Sequence, residues 1–413
     1  MAKRKICVIG GGASGMMAAI TAARDGAKVT LLESGERVGK KILATGNGKC
    51  NLGNLNLSVN DYYGASEEWI AQCLSKFDEE ETIRFFQGIG LMLKEKNGYL
   101  YPLSEQASSV LDVLRSELSS LGVEIITEAK VRKIDTCEDG RFLVCTDEAE
   151  YYFDRVVLAC GSKAAPKTGS DGSGYKIAKK MGHNVVCVVP ALVQLKCEEN
   201  FFKEIAGVRV DAKLTIDGRY NAGVGIVERG ELQLTDYGVS GIPVLQLSRK
   251  VNYILRDCGC DGSVPVMIDF LPDMSAEEVE QLYTVRKLLQ TDRTVEEFFT
   301  GMLNKKLMLL FIKLAGLKRD MPVGEANEDK LRTVFDLCKN FRVCVIGSNS
   351  YDNAQVCAGG VDTTQVNTNM ESLLVPGLYF AGEILDVDGR CGGYNLQWAW
   401  CSGYLAGHGA ANL

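Results

Sequence analysis

Apolar and polar residues alternate along this chain with two different periods. Near the start, short unbroken apolar runs at residues 5–9 and 28–32 flank an alanine-rich stretch from residue 13 to about residue 25. Unbroken apolar runs of this kind are typical of buried parallel strands. The pattern therefore predicts a strand–helix–strand unit at the start of the chain.

Further short strands are predicted at residues 123–126, 130–134, 142–146, 151–153 and 155–159, with a hairpin turn at Asp139-Gly140. A helix is predicted near residues 172–181, and the last elements are a strand from Gly377 to Glu383 and a helix from about Tyr394. Strands that alternate with helices favour an α/β fold. We expect a Rossmann-like domain with a doubly wound parallel sheet and a β-meander.

The middle of the chain has a different pattern. Short alternating strands are predicted at residues 192–197, 208–216, 224–227 and 231–234, with turns at Asp217-Gly218 and Arg229-Gly230 and a helix that starts near Pro243. Strands of this kind are typical of a small antiparallel sheet or barrel.

From Met274 the period becomes helical. Capping boxes are predicted at residues 275–278 and 294–297, and the apolar residues 302–317 predict a long helix or a helix pair that ends at Gly316. Residues 341–346 then form a strand that leads the chain back towards the first domain.

These changes predict an insertion. We expect a Rossmann-like domain of residues 1–189 and 346–413, an inserted β-barrel-like domain of residues 190–273 and 320–345, and a small helical subdomain of residues 274–319. Because the chain returns to the first domain after the insertion, its last strand and helix complete that domain.

Composition narrows the classes of function. The chain has 413 residues and a net charge of −7, which disfavours a nucleic-acid partner. It has no apolar run long enough for a membrane span, so we expect no membrane insertion. The 15 cysteines are scattered without a CxxC pair, Cys258 and Cys260 being the only close ones, and there are two histidines. This pattern predicts reduced thiols, a cytoplasmic location and no metal site.

The first predicted strand ends in a glycine-rich turn that matches G-x-G-x-x-G at Gly10, Gly12 and Gly15. Such a turn lets backbone amides at a helix N-terminus approach a pyrophosphate. The second strand ends at Glu33, where a partner for a ribose hydroxyl is expected. Strand, turn, helix and acid together predict a dinucleotide site.

Two later segments extend this site. Residues 37–51 combine three glycines with four cations, so this loop can lie along a long anionic cofactor. Near the C-terminus, Asp386 and Asp388 precede Gly392-Gly393 and a helix whose N-terminus can stabilise negative charge on a reduced flavin ring. Either aspartate is a candidate acceptor for ribityl or ribose hydroxyls. Ala399, Gly403 and Gly407 recur every four residues and predict close packing of this helix on the sheet or on the N-terminal helix.

The motifs GGGASG, RVGKKILATGNGKCN, VLACGS, LTDYGVSGIP and FAGEILDVDGRCGGYNLQWAWCSG span most of the chain. With them the sequence resembles the flavoproteins with two dinucleotide-binding domains, and more narrowly the BaiN / aminoacetone-oxidase-like oxidoreductases. The resemblance implies FAD in the first loop, with residues 46–51 and 393–396 bordering the isoalloxazine ring. Because neither of the two histidines lies in a motif, we expect the FAD to be bound non-covalently. The chain departs from the family at Asn47 and Lys49, because the family loop usually reads GGGRCN and this one reads GNGKCN. It also departs at Cys391, where threonine is usual, and at Asp236, where histidine is common.

The cofactor contacts that the motifs and the resemblance imply are Gly10, Gly12, Ala13, Ser14, Gly15, Glu33, Ser34, Lys40, Lys41, Thr45, Gly46, Gly48, Cys50, Asn51, Val131, Ala159, Cys160, Gly161, Gly382, Glu383, Asp388, Gly393, Tyr394, Asn395 and Leu396. Catalytic residues are not identified. The candidate proton donors are Asp236, Tyr237, Arg390 and Tyr394, from segments that we expect to converge on the ring.

Three functions remain open at this point. The first is an FAD-dependent reductase of an activated C=C bond in an enone or steroid-like small molecule. Because the sequence has no second G-x-G-x-x-G, NAD(P)H would be a transient donor in an open cleft. The second is an amine oxidase that passes electrons to oxygen, and the third is a flavin and thiol redox sensor that uses Cys50 and Cys391.

Overall fold

The computed structural model describes residues 3–220, 223–257 and 262–412, so Cys258 and Cys260 lie outside the described residues. The chain divides into two compact units. Met1–Pro190 and Tyr351–Leu413 form the first unit, and Ala191–Ser350 form the second. The chain therefore leaves the first unit once and returns to it.

The first unit is built on a five-stranded parallel sheet. Its strands, in spatial order, are Leu378–Phe380, Arg155–Leu158, Lys5–Ile9, Lys28–Leu32 and Glu124–Ile126. The inner strands are buried because helices cover the sheet, which explains their unbroken apolar sequences. The predicted strand at residues 123–126 is the edge strand of this sheet.

A three-stranded antiparallel meander of Val131–Thr136, Phe142–Thr146 and Glu150–Phe153 follows the edge strand. The predicted hairpin turn is confirmed, since the Gly140 amide donates to the Cys137 carbonyl at 3.0 Å. The Rossmann-like sheet and its meander are thus as the sequence predicts.

The remaining elements of the first unit are helices and short strands. The helices are Ala13–Arg24, Glu67–Leu74, Glu79–Gly88, Ala107–Ser120, Ser173–Lys180 and Tyr394–Asn412. The short strands are Gly53–Asn54, Tyr62–Gly64, Leu93–Lys96, Tyr99–Pro102, Val189–Ala191, Val356–Ala358 and Val387–Gly389. Short 3₁₀ turns occupy Ile42–Gly48, Val59–Asp61, Pro166–Thr168, Thr363–Gln365 and Gly382–Ile384.

The N-terminal helix Ala13–Arg24 packs directly on the C-terminal helix Tyr394–Asn412. A Cβ atom added to Gly403 would lie 2.5 Å from the Ser14 carbonyl oxygen, and one added to Gly407 would lie 2.4 Å from that of Ala18. The two helix backbones are therefore as close as glycine allows. This confirms the packing role predicted for the small residues.

The second unit contains a closed antiparallel barrel of six strands. In spatial order they are Leu195–Cys197, Gly238–Gly241, Ile226–Leu234, Arg209–Ile216, Val264–Asp269 and Phe341–Ser348. Along Arg209–Ile216 the buried residues Ala212, Leu214 and Ile216 alternate with more exposed ones, so one face of the strand fills the barrel.

The predicted turn at Arg229-Gly230 is wrong. Ile226–Leu234 is one continuous strand, in which Arg229 pairs with Lys213 and Gly230 with Ala212. Gly230 has a φ angle of 156°, which residues with a side chain rarely adopt, whereas a Cβ atom on it would make only an ordinary van der Waals contact with Cδ of Pro243, at 3.4 Å. A glycine in a strand interior therefore does not by itself indicate a turn.

Helices complete the second unit: Phe202–Ile205, Ile242–Asp257, Ala276–Leu289, Val295–Phe299, Lys305–Leu314 and Glu328–Lys339. Both predicted capping boxes are present, at Ser275 and at Thr294. The helix predicted at residues 302–317 is shorter, and a left-handed Gly316 (φ 67°) follows its end. In the part of the chain that the structure describes, no helix has the length and apolar character needed to cross a membrane.

His183 is buried in the first unit and makes an unusual contact. Its Nε2 lies 2.8 Å from Oγ of Ser372, and that oxygen also accepts from the amides of Leu374 and Val375. Since Oγ already accepts two bonds, the hydroxyl must donate to an unprotonated Nε2. Burial lowers the pKa of His183 below its ordinary value, in agreement with a neutral ring.

We predict that Gly407→Ala destabilises the first unit by about 1–3 kcal/mol, because the new methyl group meets the backbone of Ala18. Gly88→Ala is the matched control, since Gly88 ends another helix and faces open space. Denaturant unfolding followed by circular dichroism measures both. Equal stability of the two variants would contradict the packing described here.

A second prediction concerns acid stability. The lowered pKa of His183 means that the unfolded chain binds a proton more readily than the folded chain. The free energy of unfolding should therefore decrease as the pH falls below about 6.5, the ordinary histidine pKa. His183→Phe should reduce this dependence, whereas His408→Gln, at the exposed histidine, should retain it. Parallel pH profiles for wild type and His183→Phe would refute the assignment.

Candidate functional site

Three strands of the parallel sheet end at one edge and bring three loops together. A Cβ atom on Gly10 (φ 104°) would lie 2.5 Å from the carbonyl oxygen of Ala159, and one on Gly15 would lie 1.8 Å from that of Gly10. The hydroxyl of Ser14 donates to the Ala381 carbonyl at 3.3 Å, next to Gly382. The first glycine loop, the 159–161 turn and the C-terminal 381–383 turn are thus direct neighbours.

The first glycine loop has the shape that a dinucleotide requires. Gly12 precedes the helix Ala13–Arg24, and a Cβ atom there would meet nothing within 4 Å. An open backbone at a helix N-terminus leaves amide groups free for an anion. Together with Glu33, these residues fit the pyrophosphate and ribose of FAD.

Glu33 follows the second strand and lies against this loop. Its Oε2 accepts from the Gly11 amide at 2.7 Å, and its Oε1 accepts from the Gly35 amide at 2.7 Å and from the Ser34 hydroxyl at 3.2 Å. Carboxylate oxygens accept more than one hydrogen bond each, so the group can still accept from a ribose hydroxyl. The backbone bonds fix its orientation.

A half-buried ion pair joins two of the loops. Nζ of Lys41 lies 2.7 Å and 3.0 Å from the two carboxylate oxygens of Glu383, and the Ser162 hydroxyl donates to the same carboxylate at 2.9 Å. Lys40, its neighbour in sequence, is exposed. Lys41 therefore partly neutralises an acid that stands where anionic phosphates are expected.

The loop of residues 45–51 is a tight turn. Its Cys50 amide donates to the Thr45 carbonyl at 3.1 Å, and Gly46, Gly48 and Cys50 all have positive φ angles. Cys50 is buried, and burial raises the pKa of its thiol to about 11. The thiol is therefore protonated at neutral pH.

The C-terminal loop packs on the residues that follow this turn. A Cβ atom on Gly393 would lie 2.5 Å from the Gly53 carbonyl oxygen and 2.8 Å from the side-chain amide of Asn51, and Asn54 donates to the Gly392 carbonyl at 3.1 Å. Just before this loop, Asp388 is buried in the strand Val387–Gly389, which pairs with Tyr62–Gly64.

Asp386 is also buried, and its carboxylate accepts from the Gly359 amide at 3.1 Å.

Two of the four candidate proton donors lie in the first unit. Tyr394 starts the C-terminal helix. Burial is the main cause, and the nearby negative charge of Asp61 the second cause, of a rise in the pKa of its phenol to about 12. The Arg390 amide donates to the Asp61 carbonyl at 2.9 Å, and its Nε lies 3.9 Å from an Asp61 carboxylate oxygen.

The other two candidates lie in the second unit. The Tyr237 hydroxyl accepts a hydrogen bond from the side-chain amide of Asn349 at 3.2 Å. Asp236 is exposed.

The remaining sequence-predicted contacts have varied environments. Ser34 is exposed, Val131 is the buried first residue of the meander, and Leu396 is half-buried in the first turn of the C-terminal helix. Ser162 and Asp61 were missed by sequence reasoning. A signal existed only for Ser162, which directly follows the predicted Cys160-Gly161 turn.

Comparison with known proteins places this geometry in a family context. The family model described as HI0933-like protein Rossmann domain matches residues 4–409. The 3-dehydro-bile acid delta(4,6)-reductase of Clostridium scindens is 45% identical over 411 residues, which cover 98% of this chain and 99% of that protein. The ribosomal RNA dihydrouridine synthase of Haemophilus influenzae is 29% identical over 404 residues, 96% of each chain.

Among solved structures, the 3-ketosteroid-delta4-(5alpha)-dehydrogenase of Rhodococcus jostii RHA1, in complex with 4-androstene-3,17-dione, is similar with a TM-score of 0.52. The match covers 100% of this chain and 97% of that chain, at 18% identity. At this identity the likeness shows a shared fold.

We predict that Lys41→Met lowers the free energy of unfolding by about 1–2 kcal/mol, because it leaves the half-buried Glu383 carboxylate without its cation. Ser162 still donates to that carboxylate, so the loss should be partial. Lys40→Met removes an exposed cation next to it and should change stability little. The measurement is denaturant unfolding of both variants, and equal losses would exclude a specific role for the ion pair.

Proposed function

The chain belongs to the HI0933-like family, and from this premise we propose that it is an FAD-dependent reductase of a carbon–carbon double bond conjugated with a carbonyl group. The observation that carries the proposal is the meeting of the loop Gly10–Gly15 with the turn of residues 381–383, from opposite ends of the chain, at one edge of the parallel sheet. Together they can hold one extended cofactor.

In this proposal the chain's own residues bind FAD without a covalent bond. The loop Gly10–Gly15 holds the pyrophosphate, Glu33 accepts from a ribose hydroxyl, and Lys41 lies beside the phosphates. Residues 46–51 and 393–396 border the isoalloxazine ring, and Gly393 lies against Gly53. Bound FAD supplies hydride transfer to an electron-poor carbon, which the protein does not supply by itself.

The names of two relatives indicate one substrate chemistry. One is a delta(4,6)-reductase of a 3-dehydro bile acid, and the other makes dihydrouridine in ribosomal RNA. A 3-oxo steroid with double bonds at positions 4 and 6 is a conjugated ketone, and the C5–C6 bond of uracil is conjugated with its C4 carbonyl. We therefore expect this chain to act on an activated C=C bond.

A steroid-like small molecule is the better of these two substrates. The relative that acts on a bile acid is 45% identical, against 29% for the relative that acts on RNA. Arginines on the barrel are also paired with acids: Arg229 lies 2.7 Å from Asp211 and 2.8 Å from Asp273. Cations neutralised in this way offer little attraction to a phosphate backbone.

For the electron donor we propose transient NAD(P)H, because the sequence contains one dinucleotide loop and that loop is assigned to FAD. The raised pKa of the Cys50 thiol disfavours a thiol relay at neutral pH. A cytoplasmic location is proposed from the 15 cysteines, which are scattered along the chain without a CxxC pair.

We predict that the purified chain is yellow and that NADH or NADPH bleaches it without oxygen. The reduced protein should then be reoxidised by a 3-oxo-4,6-diene steroid but not by the matched saturated 3-oxo steroid, because only the diene has a conjugated C=C bond that can accept a hydride. Stopped-flow absorbance measures both steps. Reoxidation by a uridine-containing RNA alone would favour the RNA function, and reduction of the flavin by aminoacetone with peroxide formation would favour the oxidase.

A pair of variants tests the cofactor loop separately. Gly10→Ala should lose FAD, because its Cβ atom meets the Ala159 carbonyl oxygen at 2.5 Å. Gly26→Ala is the matched control, since Gly26 also has a positive φ angle (94°) but faces open space. FAD retained by Gly10→Ala would contradict the assignment of this loop.

A further inference from the structure

The Asn395 side chain closes the C-terminal loop on itself. Its Oδ1 accepts from the Gly389 amide at 2.8 Å, and its Nδ2 donates to the Gly389 carbonyl at 2.8 Å and to the Arg390 carbonyl at 3.3 Å. The Asn395 side chain therefore bonds to both the N–H and the C=O group of Gly389, as a residue of a paired β-strand would. The complementary pattern also fixes which end of the amide is oxygen.

The segment that Asn395 closes contains two adjacent glycines. Gly392 has a φ angle of 123° and Gly393 one of 96°, both in the region that side-chain-bearing residues avoid. Adjacent glycines have many accessible conformations, so an untied Gly-Gly segment would lose much entropy on taking one shape. The backbone conformation of Gly392 and Gly393 therefore depends on contacts with residues outside the pair.

Those contacts surround the glycine pair on both sides. Asn395 holds the residues before it, Asn54 donates to the Gly392 carbonyl at 3.1 Å, and the Gln397 amide donates to the Gly393 carbonyl at 2.9 Å. Gly393 also packs against the Gly53 carbonyl, since a Cβ atom added to Gly393 would lie 2.5 Å from that oxygen. A shift of this loop would thus disturb residues 51–53 as well.

We infer that Asn395 is a positioning residue for the flavin ring and not a direct ligand of it. Its side-chain amide already bonds to the backbone, so its effect reaches the cofactor through the path of Gly392 and Gly393. This inference rests on the proposed function, which places the ring at residues 46–51 and 393–396. It assigns to Asn395 a role different from the cofactor contact that the sequence implied.

The test compares Asn395→Ala and Asn395→Asp with Asn353→Ala, which removes an exposed asparagine of the same unit. Aspartate keeps the acceptor for the Gly389 amide but places a negative charge against two carbonyl oxygens, so it should not restore the loop. Three quantities are measured: the FAD dissociation constant of the apoprotein, the midpoint potential and visible spectrum of the bound flavin, and the thermal midpoint of the apoprotein.

We expect both Asn395 variants to bind FAD about tenfold or more weakly than wild type. The potential of the bound flavin should fall, because a loosened loop stabilises the reduced, more negative ring less well. The apoprotein should melt close to Asn353→Ala, since the loop is tied at other points. This combination separates positioning of the ring from general stability.

Two results would overturn the inference while leaving the proposed function intact. One is wild-type FAD affinity and potential in both Asn395 variants. The other is a fall in apoprotein stability large enough to account for the weaker binding, which would make the residue merely structural. If Asn395→Ala is insoluble, Asn395→Asp decides by the same comparison. Failure of the wild-type chain to bind FAD would overturn both proposals together.

Discussion

The close approach of the first and last helices is the constraint on which the rest of this structure depends. Gly403 and Gly407 leave no room for a side chain against the backbone of the N-terminal helix. Near that contact, the first glycine loop and the turn of residues 381–383 meet at one edge of the parallel sheet. The hydroxyl of Ser14 donates to the Ala381 carbonyl and joins this loop to this turn directly. The candidate site thus lies beside the contact of the two helices.

The order of the chain follows from the same constraint. Residues 191–350 form a unit with its own barrel and its own buried core, inserted between two parts of the sheet domain. The strand Leu378–Phe380 can pair with Arg155–Leu158, and the last helix can pack on the first, only after this insertion has been passed. The cofactor loop near the C-terminus is therefore the last element to be added to a domain that begins at residue 5.

Polar contacts in the first unit fix the positions of the Glu33 and Glu383 carboxylates. Glu33 is oriented by two backbone amides, and Glu383 is held by Lys41 and Ser162. Each carboxylate lies beside a loop that is expected to carry phosphates, so its charge must be placed or neutralised. Asn395 serves the same purpose without charge, through a pair of bonds to Gly389.

The sequence by itself determined the parallel strands, the first glycine loop, the capping boxes and the small-residue face of the C-terminal helix. Each of these features depends on residues that are close together in the sequence or that recur with a short period. It failed at Gly230, where a glycine that predicted a turn lies inside a continuous strand and pairs with Ala212. The tertiary structure alone decided the Lys41–Glu383 pair and the contact of Gly393 with Gly53. Those partners are 342 and 340 residues apart. Local pattern specifies elements, whereas contacts between distant residues exist only once the elements have packed.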